Sequence, residues 1–218
     1  MGTPSSDELW PSLDESIGRL PCFPSGPVWS ILPTLKGQMA DMLTEMGPSE
    51  REDVSIDSSK GIVHIDKSAK IEPGVHIIGP AYIGPNSTIR HGAYIRENSW
   101  ICAGALVGHA SETKHSVLLP NSKAPHFNYV GDSILGPNVN LGAGVKLSNL
   151  RNDGGEVHVR ISGDRIGSGL RKFGAIIGED AQLGCNAVTN PGVVLGARCM
   201  VMPNTTVTGI YESDSKIG

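Results

Sequence analysis

The chain has 218 residues, of which 18% are charged and 5% aromatic, with 28 Gly, 15 Pro and a formal net charge of −4. That balance supplies no basic footprint for nucleic acid and no polybasic patch for a membrane surface. No apolar run approaches the roughly 20 residues of a membrane span, and the opening MGTPSSDELW lacks the basic and apolar regions of a secretory signal.

A cytoplasmic protein is therefore expected; the MGTPSS start matches an N-myristoylation pattern only loosely. Few aromatics with many turn formers suit short strands separated by frequent corners. Cys22, Cys102, Cys185 and Cys199 share no C-x-x-C spacing. They are expected to be reduced and mostly buried.

In chain order, residues 1–60 form an N-terminal extension without hexads. Within it, 28–46 carries apolar residues at roughly helical spacing, with Pro33 placed to start or interrupt a helix. Its expected role is to cap the open end of the coil that follows. The polar, acidic stretch 48–60 reads as a linker.

From residue 61 an aliphatic residue recurs at every sixth position. Ile65, Ile71, Ile77, Ile83, Ile89, Ile95, Ile101 and Val107 form one unbroken register. Leu135, Leu141 and Leu147 resume it, and Ile177, Leu183, Leu195, Val201 and Val207 carry it onward, with Thr189 as the weak member. Two residues earlier runs a column of small or β-branched residues, among them Val63, Ala69, Ala81, Ser99, Ala105, Val139, Ala175 and Ala187. Before that column stand Gly74, Asn86, Gly92, Asn98, Gly104, Asn138, Gly144, Asp180, Asn186, Gly192 and Asn204. These types tolerate the left-handed backbone that sharp corners require.

A period of six fits neither a helix nor a simple sheet. It predicts an all-β solenoid, a hexapeptide-repeat parallel β-helix over 61–210, with 211–218 as a tail. Two stretches break the pattern. Over 109–134 the spacing from Val107 to Leu135 exceeds four hexads by four residues, which predicts an insertion that deforms the coil. Over 149–174 no hexad appears, and the alternating VHVRI at 157–161 predicts a hairpin or projecting loop. Long excursions from a regular scaffold are where function tends to sit.

The breaks hold the chemistry-bearing side chains His126, Tyr129, Lys114 and Asn149, with Arg96 upstream and Asn140 between them. KAPHFNYVGD at 123–132, followed by ILGPNVNLGAG at 134–144, resembles the C-terminal acetyltransferase domain of a bacterial enzyme family. That family is the bifunctional N-acetylglucosamine-1-phosphate uridyltransferase/glucosamine-1-phosphate acetyltransferases. The resemblance covers about 96–208 apart from 150–171, and β-helix domains of related sugar-phosphate nucleotidyltransferases look similar.

The resemblance implies a left-handed β-helix working as a homotrimer, with acetyl-CoA and an amino-sugar phosphate bound in clefts between subunits. By position it makes His126 the general base, a role suited to a side chain that titrates near neutrality. Arg96 and Lys114 would hold the sugar phosphate, Tyr129 and Asn140 would contact the sugar, and Asn149 would lie on the substrate side. Ala143 and Lys172 would line the acyl-CoA site. Cys185 stands where the family has a Ser on the oxyanion or CoA side.

Leu150 stands where the family usually has a Tyr, the excursion after Asn149 is longer than the family's, and the family's C-terminal arm is not expected within these 218 residues. The first 60 residues contain no G-x-G-T-R-type nucleotide loop, so uridylyl transfer is not expected of these residues. The altered CoA side keeps open an alternative, a sugar-phosphate-binding or sugar-nucleotide-binding β-helix module without catalysis. His64, His76, His91, His109, His115 and His158 show no ligand-like spacing, so no metal site is expected, although His109 and His115 flank Lys114 and could line its cleft.

Overall fold

A computed structural model describes residues 2–14, 16–161 and 163–218. Three parallel sheets of eight strands each wrap around one core, and a two-stranded antiparallel ribbon stands outside them. Successive strands fall on the first, second and third faces in turn: His76–Ile78, Ala81–Ile83 and Thr88–Ile89 make one circuit. Ile65 pairs with Ile83 and Ile83 with Ile101, a repeat of eighteen residues, so three hexads make one coil. The aliphatic and small columns both point inward and form one continuous buried cluster from Val54 to Ile217. All eleven corner residues anticipated from the sequence, Gly74 through Asn204, have positive φ.

The boundaries are wider than the hexads suggest. Ser55–Asp57, in the stretch read as a linker, is a strand paired with His76–Ile78. Ile210–Tyr211 and Lys216–Ile217 add strands to the second and third faces, so the expected tail is coil.

The stretch 109–134 contains no excursion. Thr113 pairs with Ile95, Leu118 with Ile101 and Ala124 with Val107, and Val130 follows Thr113 on the first face. The coil is tightened here: Thr113 to Val130 and Leu118 to Leu135 are steps of seventeen residues. One corner per coil loses a residue, between Thr113 and Leu118 and again between Val130 and Leu135. Hydroxyls at these corners replace backbone partners. Ser116 Oγ accepts from the Ser133 N–H at 3.1 Å, and Ser133 Oγ accepts from the Ala175 N–H at 2.9 Å. Both serines are fully buried, as satisfied hydroxyls can be.

The second break is a true excursion, since Leu147 pairs across forty-two residues with Thr189. Inside it, His158–Ile161 and Asp164–Gly167 form the predicted hairpin. Its first strand packs on the coil, whereas its second strand is exposed. Val157, Val159 and Ile161 pack with Phe173, Ile176, Val194 and Trp29 in a second buried cluster.

That second cluster also corrects the expected role of the N-terminal extension, which covers a side of the coil. The outward residues of the second face, Tyr82, Trp100, Val117, Ile134, Ile176 and Val194, are large, apolar and buried. A short helix α1 (Ser6–Leu9) and a longer helix α2 (Leu32–Met46) lie over them. Pro33 falls in the first turn of α2, where its missing N–H costs nothing. Leu32, Leu35, Met39, Met42 and Leu43 put one helical stripe against the coil.

The extension is also pinned by hydrogen bonds. Trp10 Nε1–H donates to the Ile177 carbonyl at 3.0 Å, Ser12 to Glu179, and Trp100 Nε1–H to the Arg19 carbonyl at 3.0 Å. Trp100→Phe keeps an aromatic ring but gives up the pyrrole ring and the last bond, leaving a small void and the Arg19 carbonyl with only the weak Cys102 Sγ contact at 4.0 Å. The expected cost is about 2 kcal/mol in urea unfolding, with faster tryptic cleavage after Arg19. Unchanged stability and cleavage would show that this pin does not hold the extension.

Candidate active site

The shortened corners create the site. His115 and Asp132 take up left-handed backbone at φ 46 at equivalent corners of successive coils. The lost residue brings their side chains into contact: His115 Nδ1 lies 2.9 Å from Asp132 Oδ1. Lys114 Nζ sits 3.5 Å from Asp132 Oδ2, and the Asn149 amide donates to the same oxygen. Asn149 Nδ2 also donates to Tyr129 Oη at 3.2 Å. Asp132 thus joins Lys114, His115 and Asn149 directly, and Tyr129 through Asn149.

Burial pushes the Asp132 carboxyl up, but the bond to His115, the Lys114 charge and the Asn149 bond outweigh it and leave it below its ordinary value. Burial pushes the Tyr129 hydroxyl up, so it remains a neutral donor and acceptor. Gly131 makes room for the group. A Cβ there would stand 2.6 Å from Tyr129 Oη and 2.7 Å from Asn149 Nδ2. Gly131→Ala is therefore expected to force Tyr129 and Asn149 apart and to cost about 1–3 kcal/mol in urea unfolding. An unchanged unfolding midpoint would show that the packing around Gly131 is not tight.

Arg96 belongs to the same face but has its own partners. Its Nη1 is 2.9 Å from Glu112 Oε1 and its Nε is 3.7 Å from Glu97 Oε2. The bond to Glu112 raises its already high pKa further. Both expected phosphate cations thus carry carboxylate partners, which the sequence reading did not foresee. Glu112, His115 and Asp132 are the parts of the cluster not singled out as site residues from sequence; Asp132 closes the quoted KAPHFNYVGD and was the available signal.

His126, Ala143 and Cys185 form a separate column on the corner between the third and first faces. The Gly144 N–H donates to the His126 carbonyl and the Asn186 N–H to the Ala143 carbonyl, each at 2.9 Å. The Asn204 N–H continues the ladder to the Cys185 carbonyl. His126 is exposed, and its backbone N–H is held by Asn128 Oδ1 at 3.0 Å. Below it, His109 stacks on His91 at 5.7 Å and meets Phe127 edge-on at 5.2 Å. Phe127 is 56% exposed in a left-handed conformation, an apolar surface beside His126 that sequence reasoning missed.

Two expected residues fall elsewhere. Asn140 lies on the third face between Lys123 and Gln182, and so is not gathered with Arg96, Lys114 and Tyr129 within one chain. Lys172 is exposed and bridges Leu150 at the neck of the excursion, next to Asn149 and away from Ala143 and Cys185. Cys22 and Cys185 are exposed, whereas Cys102 and Cys199 are buried. Among the described residues no group of three or more His, Cys, Asp or Glu side chains could hold a metal ion. No described helix is long and apolar enough to cross a membrane.

Fold and corner spacing define the molecule as a hexapeptide-repeat parallel β-solenoid. A family model described as the GMPPB C-terminal domain matches residues 77–166, and one described as bacterial transferase hexapeptide (six repeats) matches 174–209. The chain is 39% identical over 183 residues to a bifunctional sugar-1-phosphate nucleotidylyltransferase/acetyltransferase of Sulfurisphaera tokodaii. That match covers 84% of this chain and 45% of the relative. It is 41% identical over 109 residues to the bifunctional protein GlmU of Methanococcus aeolicus, covering 50% of this chain and 26% of the relative. The chain thus spans less than half the length of these curated relatives. The resemblance read from residues 123–144 is borne out at this level.

Among solved structures, the chain is similar to the acetyltransferase domain of PglB from Neisseria gonorrhoeae in complex with acetyl coenzyme A. The identity is 16%, the TM-score 0.34, and the match covers 93% of this chain and 78% of that one. A perosamine N-acetyltransferase mutant from Caulobacter crescentus, in complex with CoA and GDP-perosamine, matches at 18% identity and TM-score 0.33, covering 87% and 71%. At these values neither structure bears on the chemistry of this chain.

Proposed function

We propose that the chain transfers an acetyl group from acetyl-CoA to the amine of an amino-sugar phosphate of the glucosamine 1-phosphate type, in the cytoplasm. The observation that carries this reading is the buried Asp132, which aligns Lys114, His115, Asn149 and Tyr129 on the face next to the His126 corner. In the proposed step the neutral amine nitrogen attacks the thioester carbonyl while His126 removes its proton. The C–S bond then breaks, and the proton passes from His126 to the leaving thiolate, giving the amide and free CoA. Lys114 keeps donors beyond its Asp132 contact and, with Arg96, would hold the phosphate. The small side chains of Ala143 and Cys185 on the His126 column would leave room for an extended thioester arm.

The same reading takes the coil as left-handed and the working form as a homotrimer, with the first and third faces of neighbouring copies lining a cleft. That arrangement would account for Asn140 and Tyr129 lying on different faces. The test is thiol release from acetyl-CoA in the presence of glucosamine 1-phosphate. Turnover supports the proposal, and no turnover with any amino-sugar phosphate overturns it. One observation favours a second reading, a sugar-phosphate-binding module: Lys172 sits at the excursion neck, apart from Ala143 and Cys185. Calorimetry showing glucosamine 1-phosphate bound and acetyl-CoA not bound would select it.

A further inference from the structure

We infer that the cleft between the excursion hairpin and the first face binds a phosphate-bearing group through Arg160 and Arg165. Along the hairpin, Val157, Val159 and Ile161 are buried, so His158 and Arg160 turn to the opposite side of the ribbon. There Arg160 stands directly across from Arg165 in the antiparallel register. Like charges directly opposite one another destabilise a strand pair, and this pair has no internal remedy. Among the described residues neither arginine lies within ion-pair distance of a carboxylate, whereas Arg151 beside them is taken by Asp153.

The other acids of the excursion are committed or turned away. Glu156 accepts from the Gly169 N–H at 2.7 Å, and Asp164 is opposite Ile161, on the other side of the ribbon.

The two arginines line a cavity of about 380 Å³ whose far wall is Ser148, Asn190 and Thr208 of the first face. Asn190 Nδ2 donates to Thr208 Oγ1 at 2.6 Å, which leaves the Thr208 hydroxyl proton and the second Asn190 amide proton for a ligand. The Asp153 carboxylate also lines the cavity but is held by Arg151, so Arg160 and Arg165 with the uncommitted N–H and O–H donors of the far wall fit a phosphate or diphosphate ester, which arginine binds bidentately. Its size is that of a small ligand pocket. Arg151 also lines it, two residues beyond Asn149, so the cleft adjoins the Asp132 cluster along the chain. The site is separate from Lys114 and Arg96 and does not depend on acetyl transfer.

Two sources share this chemistry: the diphosphate of a nucleotide-linked sugar, and the phosphates of CoA. The test is calorimetric titration of the full chain with inorganic pyrophosphate, uridine diphosphate and CoA, repeated on Arg160→Gln/Arg165→Gln and on the exposed Lys36→Gln of α2. The expected result is binding of at least one probe, weakened about tenfold or more in the arginine variant and unchanged in Lys36→Gln. Uridine diphosphate as the strongest probe assigns a nucleotide, and CoA as the strongest assigns the acyl donor.

No binding by the native chain, or equal affinity in the arginine variant, overturns the inference whether or not acetyl-CoA is turned over. Should the double variant fold poorly, Arg160→Gln alone decides. Pyrophosphate should raise the native Tm beyond chloride at matched ionic strength, and the single variant should lose that increment.

Discussion

Replacing His126 with alanine is expected to slow acetyl transfer by about 10² to 10⁴ while leaving the fold intact, the range that a positioned general base contributes. The side chain is exposed on a corner, and the neighbouring coils are tied through the His126 backbone, which alanine keeps. Unfolding free energy should therefore move by no more than about 0.5 kcal/mol. Thiol release under saturating acetyl-CoA, alongside urea unfolding of the same preparation, separates the two effects. Undiminished turnover would deny the ring its role as base.

Asp132→Ala should cost stability as well as activity. The carboxylate is 3% exposed and faces Lys114 and His115, themselves half-buried, with Asn149 on the same oxygen as Lys114. Removing it leaves Lys114 without its counter-charge and His115 and Asn149 without their acceptor, at a cost of about 3–5 kcal/mol. Asp132→Asn keeps the shape and isolates the charge.

In the folded chain this carboxyl sits below its ordinary value. Its contribution is therefore complete above the unfolded carboxylate pKa of about 3.9 and is lost as pH falls through the lower folded value. Urea midpoints measured from pH 5 downward should drop more steeply for the native chain than for Asp132→Asn. Parallel acid limbs would show that the charge does not stabilise this corner.

The coil was legible wherever its inward positions are aliphatic, because a strict six admits no other regular fold. It became illegible at 109–134 for a physical reason. There Thr113 and Ala124 occupy the aliphatic column, and Ser111, Ser116, Ser122, Asn128 and Ser133 occupy the small one. These polar residues are buried because they serve the tightened corners, as when Asn128 Nδ2 donates to the Gly142 carbonyl at 2.8 Å. A reading that counts apolar hits takes them for a loop and places an insertion where the chain in fact loses residues.

The candidate site was legible in part. Lys114, Tyr129 and Asn149 are gathered around one carboxylate, and His126, Ala143 and Cys185 share one column. The hub, Asp132, escaped because a lone Asp after Gly in a turn-rich chain has the ordinary appearance of a corner. Its importance depends on a seventeen-residue step that only the strand pairing reveals. The N-terminal segment was misplaced for a related reason: Tyr82, Trp100 and Ile134 point outward, at positions a hexad leaves unspecified, so their need for cover is not written in the period.

That cover makes the molecule one-sided. A bare triangular rod would offer neighbouring copies three equivalent walls, but here one wall is upholstered by α1, α2 and the hairpin. A copy packing flat against the coil has only the first and third walls to use. These meet along the edge that carries His126, so on this architecture the edge where subunits could join is also the edge where chemistry is proposed to occur.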